Sequence, residues 1–378
     1  MKNKDSKKTI LHFTLSLCIL IFAFCIFAAK TASAATLYFY PQNLEIFEGE
    51  SAVIEVRLNT EGEAINALEI NGSLKNDSLS ITSVDTSNSL IQIFIEAPQT
   101  DGKKFHFVGG APGGFNGAGI VGRLNLTASS VGTANLSFNQ PTKFLTNTEE
   151  GKELSVKLLL SELEVVKKPK DYIKLTSRTH PVQTNWYNAK EVNIHWDLEP
   201  GAEYSYLVSQ DQTAVSDDTP DTPEGEKLWL GDIALQGLSD GIYYFSVKKI
   251  GSQTVSRYSI FQDSTPPEWV SVALNSGTPE TNGKQYISFL AKDITSGIDH
   301  YEVKIDGGDF ERVSPPNYIV NNPDFERIII RAYDKAGNMI EESVETRGGD
   351  YSIWIGALFV VLVIILMFVI SQRRLPRH

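Results

Sequence analysis

Three short stretches of this chain carry residue types whose spacing could do chemistry. Gly117, Gly119 and Gly122 spell G-x-G-x-x-G inside "FVGGAPGGFNGAGIVGRL" (residues 107–124). Such a turn cradles a dinucleotide pyrophosphate when a strand precedes it and a helix follows. "GLSDG" (237–241) matches G-x-S-x-G, the elbow that presents a nucleophilic serine, here Ser239. Asp293, Asp299, Asp334 and Asn338 are hard oxygen donors. Gathered at one end of a domain, they would suit calcium, which takes about six to eight oxygens.

The residues around each motif decide between these chemistries and plainer ones. Leu124, Leu126 and Ala128 recur at period two after Gly122, so a strand follows and no helix supplies a phosphate-binding dipole. A nucleotide is therefore not expected. "IYYFSVKK" after Gly241 is also a strand, which makes Ser239 a turn residue. Leu238, Gly241 and Tyr243 overlap that motif as L-x-x-G-x-Y. This resembles the tyrosine corner of Greek-key sandwiches, where the hydroxyl bonds back to the backbone. No spacing among the four oxygen donors matches a calcium loop, and turn chemistry accounts for each of them. The expectation is thus no metal and no cofactor, with calcium as the alternative. His106, His180, His195 and His300 are scattered, and no carboxylate pair is marked for acid–base work. The chain reads as a non-enzyme.

Composition narrows the class further. The only cysteines are Cys18 and Cys25, both in the N-terminal apolar run, so disulfides and cysteine-ligated metals are excluded beyond it. Residues 35–350 hold 26 basic and 45 acidic side chains, a net charge of −19. Such a surface repels phosphate backbones, so nucleic acid is not a partner.

The elements that must position these residues are framed by two apolar ends. Lys2, Lys4, Lys7 and Lys8 precede an apolar run and Ala32-Ser33-Ala34, the pattern of a signal peptide over residues 1–34. Residues 353–370 are 18 uncharged positions, of which 14 are Ile, Leu, Val or Phe. They predict one transmembrane helix over 352–371, long enough at about 1.5 Å per residue to cross a bilayer. Arg373, Arg374 and Arg377 place the tail, 372–378, in the cytoplasm and the rest outside. The expected location is the cell membrane, single-pass.

Between the ends, "SAVIEVRLNT", "GRLNLTA", "YISFLA" and "RIIIRAY" alternate apolar and polar residues, with Gly, Asn, Asp and Pro between the runs. The class is all-β, in tandem β-sandwiches. "VVKKPKD" (165–171) and "QDSTPPEW" (262–269) read as linkers and give domains at 36–166, 171–263 and 266–346.

The first domain resembles the cohesin domain and its carbohydrate-binding-module relatives. The matching segments are "EGESAVIEVRL", "AINALEINGSLKND" (64–77), the glycine-rich run and "VGTANLSF" (131–138). The resemblance implies a jelly-roll sandwich whose glycines serve tight turns and close strand crossings. It also implies binding of a dockerin-like protein or of polysaccharide. Phe115, flanked by glycines, is the ring to stack on a sugar face if it stands out; otherwise it tucks back onto the sandwich edge. The second domain, with Trp186 and Trp196, resembles fibronectin type III or immunoglobulin-like modules. The third, with "STPPEW" and "RAYDKAGN", resembles bacterial immunoglobulin-like modules. The expected protein is a non-catalytic bacterial surface protein whose cohesin-like head binds extracellular carbohydrate or a surface protein. Two modules form its stalk and stand the head about 100 Å out, given ordinary strand lengths. The alternative is a purely structural component that assembles laterally in the envelope.

Overall fold

The period-two runs become strands in the computed structural model, which describes residues 34–221, 231–322, 324–345 and 361–362. The expected leader and anchor lie outside the described residues, apart from Val361 and Leu362, which are helical. Among the described residues no helix is long and apolar enough to cross a membrane.

The head is two facing sheets. Its strands are β1 (Ala35–Tyr40), β2 (Asn43–Phe47), β3 (Ser51–Asn59), β4 (Ile65–Lys75), β5 (Leu79–Asp85), β6 (Ile93–Thr100), β7 (Lys104–Phe115), β8 (Ala118–Ala128), β9 (Gly132–Thr146), β10 (Val156–Leu158) and β11 (Ser161–Val166). One sheet runs β10-β1-β3-β8-β5 and the other β2-β11-β9-β4-β7-β6. Phe39, Ile54 and Leu124 from the first meet Phe105, Phe107 and Leu136 from the second in one buried core. Burial of each such side chain contributes roughly 1.5–3 kcal/mol.

The glycine-rich run is the corner between the sheets. β7 pairs with β4 and β6, whereas β8 pairs with β3 and β5, so the chain changes sheet between Phe115 and Ala118. Gly117 turns there at φ 122°, a conformation that side chains resist. Gly122 sits where a Cβ would lie 2.7 Å from the Phe107 ring, closer than two carbons can approach. The strand expected after Gly122 is present, and no helix accompanies it.

The second domain comprises β12 (Trp186–Tyr187), β13 (Glu191–His195), β14 (Tyr204–Ser209), β15 (Asp232–Gln236), β16 (Gly241–Lys249) and β17 (Ser256–Gln262). Its sheets are β12-β17-β16-β14 and β13-β15, packed around Trp196, Tyr204 and Phe245. The third comprises β18 (Glu268–Asn275), β19 (Tyr286–Lys292), β20 (Ile298–Ile305), β21 (Glu311–Val313), β22 (Asn317–Ile319), β23 (Arg327–Asp334) and β24 (Met339–Glu345). Its sheets are β18-β19-β22 and β21-β20-β23-β24, closed over Phe289, Ile328 and Ile330.

The three domains do not string out as a stalk. The outward face of β3 is covered: Val53 packs with Trp186 and Phe261 of the second domain, and Ala336 of the third packs against that cluster. Tyr40 Oη donates to Asp211 Oδ1 at 2.9 Å, and Tyr172 Oη donates to Glu50 Oε1 at 2.7 Å. The third domain also reaches the head, through Lys335 Nζ to Asp85 Oδ1 at 2.9 Å and Ser87 Oγ to the Ser296 carbonyl. A head held 100 Å away could make neither contact. The linkers are pinned as well. Asp171 accepts from Ser252 and Thr254, and Asp240 accepts from Ser264 and Thr265.

Gly122→Ala is expected to destabilise the head by about 1–3 kcal/mol, because Phe107 is locked in the core and cannot withdraw. Urea unfolding measures this, and an unchanged midpoint would contradict the close-packing role.

Candidate functional site

The residue expected to meet a ligand, Phe115, ends β7 beside the sheet-changing turn. Its ring is half-buried and lies over Gly119, where a Cβ would come within 2.8 Å of Cζ. Phe115 therefore tucks back against the sandwich rather than standing free. One side still lines an open hollow of about 410 Å³ with Tyr38, Arg57, Asn88 and Leu90. Arg57 is held within it by Glu55 at 2.6 Å and by the Tyr40 ring, 4.5 Å from its guanidinium carbon.

Behind that hollow runs a line of alternating charge. Glu55 Oε2 meets Arg57 at 2.6 Å, and Glu55 Oε1 accepts from Arg123 Nε at 3.2 Å. Arg123 also lies 3.7 Å from Asp85 Oδ2, and Asp85 Oδ1 takes Lys335. Glu55, Asp85 and Arg123 are all buried. Burial opposes ionisation of Asp85, but Lys335, Ser87 and Arg123 outweigh it and hold the carboxyl below its ordinary range.

Ser239 is not placed for nucleophilic chemistry. Its Oγ is 2.7 Å from Tyr243 Oη, and Asp240 next to it holds the linker to the third domain. The tyrosine-corner reading is corrected in one respect: Tyr243 bonds a side chain rather than the backbone. Leu238 packs on the second core, and Gly241 adopts φ 147°. Other tyrosines make the backbone bond instead. Tyr258 Oη donates to the His180 carbonyl at 2.5 Å, and Tyr204 Oη accepts from Glu199 N–H at 2.9 Å.

The four oxygen donors expected to gather do so only in part. Asp293 and Asp334 meet Asp263, one oxygen from each lying within 4.8 Å of the others. Asn338 lies beside them, its N–H donating to Asp334 Oδ1 and its Nδ2 to the Asp263 carbonyl, at 2.8 and 2.9 Å. Asp299 does not join. It sits on β20, paired with His300 at 2.6 Å and Arg312 at 3.4 Å. Its place is taken by Asp263, which sequence reasoning read only as linker. One signal could have found it: Asp263, Asp293 and Asp334 each close or directly follow a strand, β17, β19 and β23.

The cluster lies between the second and third domains. Asp263 and Asp334 are buried and Asp293 is partly so. Asp263 accepts from Ser296 N–H at 3.1 Å, and Asp293 Oδ1 from Gly297 N–H at 2.7 Å. Among the described residues no basic side chain pairs with any of the three; Lys335, adjacent to Asp334, turns to the head. Burial, with the charges of Asp293 and Asp334, pushes Asp263 up to about 6. Asp334 is raised for the same reasons, burial first and the charge of Asp293 after it.

No protein-family model matches the chain, and no curated protein matches it. Among solved structures, it is similar to the seventh ScaB type I cohesin from Pseudobacteroides cellulosolvens at 12% identity and TM-score 0.31, covering 36% of this chain and 94% of that one. It is similar to a non-cellulosomal cohesin from the archaeon Archaeoglobus fulgidus at 14% identity and TM-score 0.30, covering 36% and 93%. The third ScaB cohesin of R. flavefaciens, solved with a group 1 dockerin, shares 18% identity at TM-score 0.29, covering 37% and 100%.

Proposed function

We propose that this chain is a non-catalytic bacterial surface protein, held in the membrane by its C-terminal helix, whose head binds extracellular carbohydrate or a surface protein. The observation that carries the reading is the open hollow of about 410 Å³ where Phe115 and Tyr38 present ring surface beside Arg57 and Asn88. Apolar ring surface next to a few fixed polar groups is the composition of a recognition site. The segment order that resembles cohesins supports the same use of the head. The structural alternative, lateral assembly in the envelope, predicts self-association of the full chain instead.

Calcium at the Asp263 cluster is a second reading, favoured by three carboxylates that converge without a basic partner among the described residues. Carboxylate and carbonyl oxygens are the ligands that hard divalent cations take. Bound there, the ion would neutralise the repulsion and tie the third domain to the second.

Full-length protein retained on polysaccharide or cell-surface extract is expected to lose about tenfold or more in affinity on Phe115→Ala, the scale of one interface anchor. Equal retention would remove Phe115 from the site. Self-association without retention would favour the structural alternative.

For the cluster, stability in metal-free buffer provides a check whose sign is fixed. Asp263 holds its proton up to about pH 6 in the folded state, and an unfolded aspartate only to about 4. The folded protein therefore binds the extra proton between those values, and the cluster's contribution falls as pH rises through them, by about 3 kcal/mol at most. Asp85 acts oppositely, losing its contribution only in stronger acid. Asp293→Asn keeps an acceptor for Gly297 and removes one charge. It is expected to flatten the fall between pH 4 and 6 in guanidinium unfolding. Millimolar calcium is expected to raise the melting temperature of the wild type at pH 7.5 and not at pH 4, and to leave Asp293→Asn unmoved. No calcium response in the wild type at pH 7.5 would dismiss the second reading.

A further inference from the structure

Where the three domains meet, a second cavity of about 300 Å³ opens, bounded by Asn88 and Arg123 of the head, Trp186, Gln210 and Asp240 of the second domain, and Thr295 of the third. Asn88 also lines the Phe115 hollow, so the two spaces adjoin at that residue. The basic charge on its walls is already spent, Arg123 lying on Glu55 and Asp85. Glu55 has one oxygen on Arg57 and the other on Arg123. Asp240 is engaged by Ser264 and Thr265. An anionic ligand would find no counter-charge free to receive it.

The neutral groups are the unspent ones. Among the described residues, neither the Asn88 nor the Gln210 side-chain amide makes a protein hydrogen bond, and both residues are exposed. The Trp186 indole N–H is buried away from the space, so its ring serves as wall. Two amides offer donors and acceptors together, each having both. Ile242 and Tyr244 add apolar wall. Hydroxyl groups on a carbon ring match this arrangement; phosphates and carboxylates do not.

We propose that the three-domain cleft binds a neutral saccharide, gripped between Asn88 on the head and Gln210 on the second domain and continuing toward Phe115. The inference rests on the reading of the head as a binding module and assigns that module's ligand class. It also gives the docked arrangement a purpose, because neither amide has a facing partner unless the domains are joined.

The test is calorimetric titration of full-length protein in detergent with cellohexaose, xylohexaose, mannohexaose and chitohexaose, with oligogalacturonate as an anionic control. At least one neutral oligosaccharide is expected to bind and the anion is not. Gln210→Ala and Asn88→Asp are both expected to weaken binding about tenfold or more, the loss for one well-placed hydrogen-bonding group. Asn88→Asp keeps a residue type that tolerates the left-handed backbone at position 88, where φ is 52°. Unchanged melting temperatures show that both variants fold. Neutral-sugar binding that falls with Phe115→Ala but not with Gln210→Ala or Asn88→Asp overturns the cleft and leaves the head reading standing. Binding of the anion alone, or retention only on a protein, also overturns the cleft and spares the head. Binding of no oligosaccharide at millimolar concentration, with no retention on polysaccharide or extract, overturns both.

Discussion

The arrangement of this molecule depends on one line of charge, Arg57–Glu55–Arg123–Asp85–Lys335, whose three middle members are buried. Its first four members stand on the outer face of the head's five-stranded sheet, and the fifth belongs to the third domain. A buried charge is tolerable only when paired, and removing one partner costs about 3–5 kcal/mol. Asp85 and Arg123 could both be solvated if the head stood alone. Docking takes that water away, and Lys335 arrives beside Asp85, which Arg123 and Ser87 also hold. The apolar contact of Val53 with Trp186 and Phe261 supplies attraction at the same face. The charges supply orientation, since they pair in one register only.

This explains why the sequence was legible within domains and opaque between them. Alternation along "SAVIEVRLN" correctly turns Ala52, Ile54, Val56 and Leu58 inward. The same rule assigns Val53 and Glu55 to solvent, and there it fails, because a second domain covers that face. Val53, an apolar residue on the polar phase, was the visible sign. The glycines were legible for a related reason: the strand rhythm after Gly122 is local, and local pattern excludes a helix. The stalk was an inference from linker composition, and composition is silent on whether side chains such as Asp171 and Asp240 pin the linker to its neighbours.

The acidic cluster shows the same division. Asp293 and Asp334 end strands of one domain, so a reading of that domain could bring them together. Asp263 belongs to the preceding strand system and arrives only through docking. Asp299 is nearby in sequence but sits just inside β20 at a register irregularity, with His300 and Arg312 as partners. Sequence proximity is thus a poor guide where strand ends from different sheets converge.

Residues 334–338, "DKAGN", concentrate these constraints in one hairpin turn. Asp334 faces the carboxylate cluster and Lys335 faces the head. Ala336 packs on the apolar joint with Val53, Trp186 and Phe261. Gly337, at φ 90°, provides the reversal. Asn338 returns to the Asp263 carbonyl. Successive side chains alternate direction at a strand end, so neighbours with opposite charge are sent to opposite partners. Lys335 cannot neutralise Asp334, because the backbone has already committed it to Asp85. The attraction that docks the third domain on the head and the repulsion that opposes its joint with the second are therefore set by adjacent residues, and strengthening one leaves the other in place. A cation or a proton at the cluster relieves the repulsion without touching the line of charge.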